Sequence, residues 1–458
     1  MPDAHQPDHE GQKDPTRATR TNTVTRTQVE MKHSPVALGA NPERVVILPF
    51  QISISPRDSA VGAMSRVQRI CEAICAMDAE TCRSELDIVN RDFTGRHWQT
   101  RGIFLERFKQ IQQLNGGMET IDEDHAVLVG AYFSHEYSYQ AAAVMNPSVV
   151  IHPDQTGAGN GSVNFILSTR TVGEGHISTI SFREGVFHDD GTVEIKPESD
   201  FAVAARPKAN APQDGPVTVY SHQACPVSET VIFPVTRQQI NGLEDLRMVR
   251  FTEDDGSTIY LGTYTAYSGR ETACELFETS DFRSFKLSPF RGAASQHKGL
   301  ALFPRRIHGR YAAIGRLDHE SLYYMESDDR TVWNNGDRVL GPQEPWELVQ
   351  MGNCGSPIEL DEGWLVLTHG VGPVRRYSLG AALLDKDDPR KVIARSKDPL
   401  LSPSEDTREG YVPNVIYTCG AQKVGDWLFL PYAVADSSIH FSAVKVKDLL
   451  HHLGVEPQ

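Results

Sequence analysis

Arg170, Arg316 and His369 occupy matching places in a pattern that recurs five times between residues 146 and 440. Each copy has a turn glycine, an aromatic, a run of apolar or small residues and, five positions after the aromatic, a polar or aromatic side chain. The copies run Gly161, Phe165, Arg170; Gly256, Tyr260, Thr265; Gly309, Tyr311, Arg316; Gly363, Trp364, His369; and Gly425, Trp427, Tyr432. Strand side chains alternate faces, so an offset of five puts the aromatic on one face and the end residue on the other. Two guanidinium groups and one imidazole are thereby brought to one structural level, which is how a repeat protein builds a convergent pocket from separate units. Arginine forks and histidine or lysine donors hold anions through charge-assisted hydrogen bonds.

The elements that must position these groups are read from periodicity. Short β-rich runs at residues 126–133, 162–168, 258–264, 364–368 and 427–432 are bounded by Gly, Asp, Asn and Pro. Five units over this stretch give a period of roughly 60 residues, somewhat longer than common propeller repeats. The predicted fold is all-β, a five-bladed β-propeller over residues 121–458, preceded by a helical accessory segment at 38–120 and a disordered polar tail at 1–37. An irregular β-sandwich with a chance recurrence of aromatics is the alternative. In the accessory segment, Val61, Met64, Val67, Ile70 and Ile74 recur at three- and four-residue steps within a helical stretch at 60–88, with start signals at residues 55–59. A second stretch at 102–114 carries Ile103, Phe104, Phe108 and Ile111 on one side. The tail has almost no apolar residues with which to offset its ordering entropy.

Composition narrows the function classes. The 458 residues are 39% hydrophobic and 23% charged, ordinary for a globular chain able to bury a core. A formal net charge of −15 argues against a general nucleic-acid binder, so any bound anion is held locally. Seven cysteines at irregular spacings fit buried thiols in a reducing compartment better than a zinc site, and no metal is expected. The absence of a long apolar run predicts no membrane span, and the polar start does not resemble a secretory leader; the expected location is cytoplasmic.

Several segments, in this order, resemble glycoside hydrolase family 130, the β-mannoside phosphorylases and related β-1,2-mannosidases. They are Gly242-Leu243-Glu244-Asp245-Leu246-Arg247, His297-Lys298-Gly299-Leu300-Ala301-Leu302-Phe303-Pro304, Thr368-His369-Gly370-Val371, the stretch opening at Tyr377-Ser378-Leu379-Gly380, Val412-Pro413-Asn414-Val415, and Tyr432-Ala433-Val434-Ala435-Asp436. The likeness extends over residues 146–449. Family members usually carry Pro where this chain has Leu246, and a basic residue where it has Gln350.

The resemblance implies single-displacement chemistry with inversion. Inorganic phosphate, a co-substrate rather than a cofactor, attacks the anomeric carbon of a non-reducing-end mannosyl unit and releases α-mannose 1-phosphate. Asp245 is then the acid, acting through the mannosyl 3-hydroxyl. Lys298, Arg316 and His369 are the implied phosphate ligands, and Arg170, Glu244, Arg247, Tyr377 and Asp436 the implied substrate-binding residues. Physical reasoning asks for the same parts: a glycosidic oxygen leaves poorly unless protonated, and a carboxyl group near the sugar supplies that. Arg247 would keep Asp245 ionised and Glu244 would keep it protonated, a contest left open at this level. Glu174 and His176, on a loop that follows Arg170, offer an acid and a base together. A β-mannosidase of the same fold and a non-catalytic carbohydrate-binding propeller stand as alternatives. The expected partners are a β-mannoside oligosaccharide and phosphate, with no nucleic acid or membrane; the helical segment offers a subunit contact for a homo-oligomer or a wall for the acceptor site.

Overall fold

A computed structural model describes residues 29–52, 65–114, 121–208, 211–222 and 224–457. The expected tail up to residue 28 and the helix start signals at 55–59 lie outside the described residues. The end of that tail departs from expectation, because Lys32–Leu38 is a strand paired antiparallel with Ser438–Lys445.

Four helices precede the sheets: α1 (Arg66–Cys75), α2 (Ala79–Phe93), α3 (Thr100–Leu114) and α4 (Glu123–Tyr132). The single helical stretch expected at 60–88 is two helices. Asp78 interrupts it by accepting the Thr81 N–H at 2.7 Å, satisfying a donor that only a new helix start leaves free. The β-run expected at 126–133 is also helical. Asp122 caps α4 and Glu123 and Asp124 complement its first turn, while its apolar body is buried on all sides, a pattern that a buried strand shares. Gly130 lets α4 lie directly on α3, since a Cβ there would fall 1.9 Å from the Phe104 carbonyl oxygen. These helices pack with Ile47, on a strand (Val45–Pro49) paired to Ser134–Ser138, into one apolar cluster.

The remainder is mostly β and falls into five successive antiparallel groups, of which the first two belong to one twelve-stranded sheet, joined by a parallel pairing of Ser178 with Gly242. The first comprises Ala143–Ile151, Val163–Val172 and Ser178–Phe187, with short strands Val193–Ile195 and Thr230–Ile232 on the last of these. The second comprises Gly242–Thr252, Thr258–Tyr267, Thr272–Thr279 and Ser284–Pro289. The third is Ala301–Leu302, Tyr311–Gly315, Leu322–Ser327 and Asp337–Leu340. The fourth is Gln350–Asn353, Trp364–Gly372, Arg376–Leu384 and Val392–Arg395. The fifth joins Ile416–Tyr417, Trp427–Val434 and Ser438–Lys445 to Lys32–Leu38.

Every copy of the sequence pattern lies on the second strand of its group, with Arg316 one residue past the third group's strand end. All five turn glycines take positive φ, between 54° and 148°, which L side chains rarely adopt. The second strands are buried on both faces, which explains why they read as near-continuous apolar runs. In the fourth group Trp364 and Val366 pack toward the third group, whereas Leu365 and Leu367 pack toward the fifth. Corresponding clusters join the first group to the second, the second to the third, and the fifth to the first.

Among the described residues no helix is long and apolar enough to cross a membrane. All seven cysteines are free; six are buried as expected, but Cys75 is exposed.

Candidate active site

Asp245 lies on the first strand of the second group. That strand loses register with its neighbour between Glu244 and Arg247, and Asp245 takes φ 57° there. A bulge re-aims a side chain, and Asn and Asp tolerate the left-handed region better than most residues. Asn146, at φ 50°, occupies a like irregularity between Met145 and Ser148 in the first group. The two irregular sites meet, Asn146 Nδ2 donating to Asp245 Oδ1 at 2.7 Å.

Arg170, on the second strand of the first group, binds the same segment. Its Nη1 donates to Asp245 Oδ1 at 3.1 Å, its Nη2 to Glu244 Oε1 at 2.8 Å and its Nε to Ser178 Oγ at 2.9 Å. Lys298 Nζ donates to Glu244 Oε2 at 3.1 Å, so Glu244 bridges two cations from different groups. Arg247, expected to contact substrate, lies 3.8 Å from Asp245 Oδ2 and is otherwise engaged with the protein. Only 3% of its surface is exposed, and it donates to the Cys354 carbonyl, the Asp245 carbonyl and the Tyr417 hydroxyl at 3.1, 2.8 and 2.9 Å. It braces the Asp245 backbone from beneath.

Two carboxyl groups here are driven apart in acidity. Burial would raise the Asp245 pKa, but the Arg170 and Arg247 charges and the Asn146 hydrogen bond outweigh it and hold the group at about 2. The contest left open by the sequence is thus won by the cations. Asp436 lies on the turn between Trp427–Val434 and Ser438–Lys445, at φ 49°. Burial and the Asp245 charge push its pKa up to about 6, against the opposing pull of Arg170 and Arg375.

Arg316 and His369 meet beside the fourth group's first strand. A Cβ on Gly352 would lie 2.7 Å from His369 Cε1 and 2.8 Å from Arg316 Cδ, so the missing side chain makes their room. Arg316 has no hydrogen bond or ion pair with a described residue. The carboxylate next to it, Asp318, instead accepts from the Glu320 and Ser321 amides and the Tyr323 hydroxyl. His369 is buried, stacked on Tyr377 with ring centroids 5.9 Å apart and edge-on to Tyr417. Burial and the Arg316 and Arg247 charges hold its pKa well below the usual histidine value, so it is a neutral donor at pH 7.

The fold therefore brings Asp245, Glu244, Arg170 and Lys298 into one hydrogen-bonded cluster whose charges reach Asp436, and sets Arg316, His369 and Tyr377 beside one another. Sequence reasoning missed Tyr417 as the partner of Arg247 and assigned no role in the site to Asn146. It also missed His297, which faces His319 with ring centroids 5.1 Å apart and leaves its buried Nδ1 without a partner. Positive-φ polar residues at strand irregularities would have been the signal for Asn146, but irregular register is invisible to a two-residue periodicity. No group of three or more His, Cys, Asp or Glu suited to a metal ion occurs among the described residues.

The family model described as beta-1,4-mannooligosaccharide phosphorylase, that of glycoside hydrolase family 130, matches residues 220–454. The chain belongs to this family. A β-1,2-mannobiose phosphorylase from Listeria innocua is 33% identical over 235 residues, covering 49% of this chain and 64% of the relative. A 1,2-β-oligomannan phosphorylase from Thermoanaerobacter is 33% identical over 225 residues, covering 47% and 72%. A β-1,4-mannooligosaccharide phosphorylase from Ruminococcus albus is 32% identical over 189 residues, covering 38% and 56%. Aligned sequence thus spans slightly less than two thirds of the Listeria protein. A solved family 130 structure, from work describing glycoside hydrolases that target β-1,2 mannosidic linkages in Candida mannan, superposes with a TM-score of 0.51. It is 16% identical, over 68% of this chain and 87% of its own, and speaks for the fold alone.

Proposed function

We propose that this family 130 chain is an inverting β-mannoside phosphorylase, built as a five-bladed β-propeller, that uses inorganic phosphate to release α-mannose 1-phosphate. Five antiparallel groups joined in sequence by five apolar clusters, the last between the fifth and first groups, support the propeller. The observation that carries phosphorolysis is Arg316, a guanidinium without a partner among the described residues, beside a neutral, buried His369. A phosphate dianion matches that pair of donors, and Lys298 adds charge from the adjoining segment.

Arg170, Glu244 and Asp436 offer the hydroxyl-directed groups that a mannosyl unit requires, and Tyr377 a wall. Arg247 holds the Asp245 backbone. A phosphate oxygen attacks the anomeric carbon as the bond to the leaving oxygen breaks, and a proton must reach that oxygen. Asp245 is ionised in the empty site, so it first takes up a proton. Filling the site removes water around the carboxylate and favours its neutral form. The proton then passes to the mannosyl 3-hydroxyl, whose own proton goes to the leaving oxygen.

Hydrolysis is the second reading, favoured by the Glu244 contact that partly neutralises Lys298 and by the uncharged Gln350 on the phosphate side. Incubation with a panel of β-mannobioses, with and without phosphate, separates the two. Mannose 1-phosphate formed only with phosphate is the expected result; free mannose formed equally without it would overturn phosphorolysis.

A further inference from the structure

His176 and Tyr411 are 235 residues apart in sequence, yet His176 Nδ1 and the Tyr411 hydroxyl are 2.9 Å apart, with their rings tilted at 37° and centroids separated by 6.0 Å. Both rings are exposed, Tyr411 to 44%. Neither is on a loose loop. The turn carrying His176 begins three residues after Arg170, and it is fixed from the side by the Tyr137 hydroxyl, which donates to the Glu174 carbonyl at 2.7 Å. Gly173 permits that approach, since a Cβ there would lie 2.7 Å from the same hydroxyl oxygen.

The segment carrying Tyr411 is tied to the turn that presents Asp436. Tyr411 N–H donates to Ser437 Oγ at 2.6 Å, Val412 N–H to the Ala435 carbonyl at 2.9 Å and Ala435 N–H to the Val415 carbonyl at 2.7 Å. Farther along, the Asn414 carbonyl accepts the Tyr377 N–H at 2.9 Å. The bridged pair therefore spans the turn after Arg170 and the turn bearing Asp436, two elements of the proposed sugar site.

Inversion fixes the geometry of the remaining ligand. In a single displacement the nucleophile enters on the face of the anomeric carbon opposite the leaving oxygen. The proposed phosphate donors come from the third and fourth groups and the segment before the third, whereas His176 belongs to the first group and Tyr411 to the segment entering the fifth. We infer that His176 and Tyr411 form the wall of the leaving-sugar subsite, contacting the acceptor sugar of a β-mannoside and setting which acceptors fit. Two exposed rings held by fixed backbone give an apolar platform for a sugar face, with a hydroxyl and an imidazole nitrogen at its edge.

This inference rests on the phosphorylase reading, and its test separates the two. In the synthetic direction, with mannose 1-phosphate and a series of acceptor sugars, Tyr411→Ala is expected to raise acceptor KM roughly tenfold, the scale of one lost aromatic contact. KM for mannose 1-phosphate should stay within about twofold, a change under ~0.5 kcal/mol. Tyr411→Phe keeps the ring and should change acceptor KM less, while His176→Ala should alter the ranking of acceptors. Equal increases in both KM values, or no change in either, would overturn the inference. A wild-type protein that forms no mannose 1-phosphate defeats the phosphorylase reading instead. In that case calorimetric titration with β-mannobiose and with mannose decides the subsite: Tyr411→Ala weakening only the disaccharide supports it, and equal weakening or none overturns it.

Discussion

Asp245 and Asp436 show how the site sets two carboxyl groups of ordinary chemistry to different protonation states. Asp245 is held near 2 because Arg170, Arg247 and Asn146 converge on it despite burial, and Asp436 rises to about 6 through burial and the Asp245 charge. Their pH linkages run in opposite directions. Asp245 stabilises the fold above its ordinary value of 3.8, an effect lost as pH falls toward 2; the contribution of Asp436 is complete below 3.8 and lost as pH rises through about 6. Two outcomes follow. Asp436→Asn should melt progressively higher relative to wild type as pH is raised from 4 to 7, and the inflection near pH 6 in wild-type kcat/KM should vanish, as thermal scans and a pH profile will show. Asp245→Asn should lower kcat by about 10² to 10⁴, the usual worth of a positioned acid. It should also bring the Asp436 inflection to lower pH, because it removes a neighbouring negative charge.

At the scale of the element, the strand Gln350–Asn353 makes space as well as hydrogen bonds. Gly352 is the point where His369 and Arg316 close on the backbone, and an added methyl group would overlap both. Gly352→Ala should raise phosphate KM by roughly tenfold or more, the scale of a lost charge-assisted hydrogen bond. It should leave mannoside KM nearly unchanged in initial-rate measurements, with an overpacking cost of about 1–3 kcal/mol on thermal unfolding. The aromatic repeat that points to this strand's neighbours was legible because turn glycines and two-faced burial leave direct marks on composition. Gly161 and Phe165, or Gly363 and Trp364, could be placed from the sequence alone. The helix at Glu123–Tyr132 could not, because an apolar run buried on all sides has neither a strand's alternation nor a helix's stripe; only its Asp122 cap distinguishes it. The bulge that turns Asp245 toward Asn146 was equally hidden, since one residue out of register alters no residue type. The bracing contact of Arg247 was hidden for a related reason: its guanidinium meets Tyr417 from a distant group.

For the molecule as a whole, the fifth group is built from segments near both ends of the described chain. Lys32–Leu38 completes the fifth group by pairing with Ser438–Lys445, and Val36 and Leu38 pack against the cluster that joins the fifth group to the first. Polar composition concealed this strand, since only its inward positions contact the core and the other partner lies some 400 residues away. On one side of Ser438–Lys445 is the terminal strand; on the other is Trp427–Val434, and the turn between those two strands bears Asp436. Loss of the terminal strand would expose the sheet edge and loosen that turn, whereas Arg316 and His369 lie on other groups. A chain lacking the residues up to Leu38, or carrying Val36→Asp with Leu38→Asp, should therefore lose about 2–5 kcal/mol of stability, the scale of two partly buried aliphatic side chains and their strand. Its mannoside KM should rise more than its phosphate KM. Thermal denaturation paired with initial rates will show whether the site responds as one rigid unit, with both constants rising together, or with the mannoside side failing first as this arrangement requires.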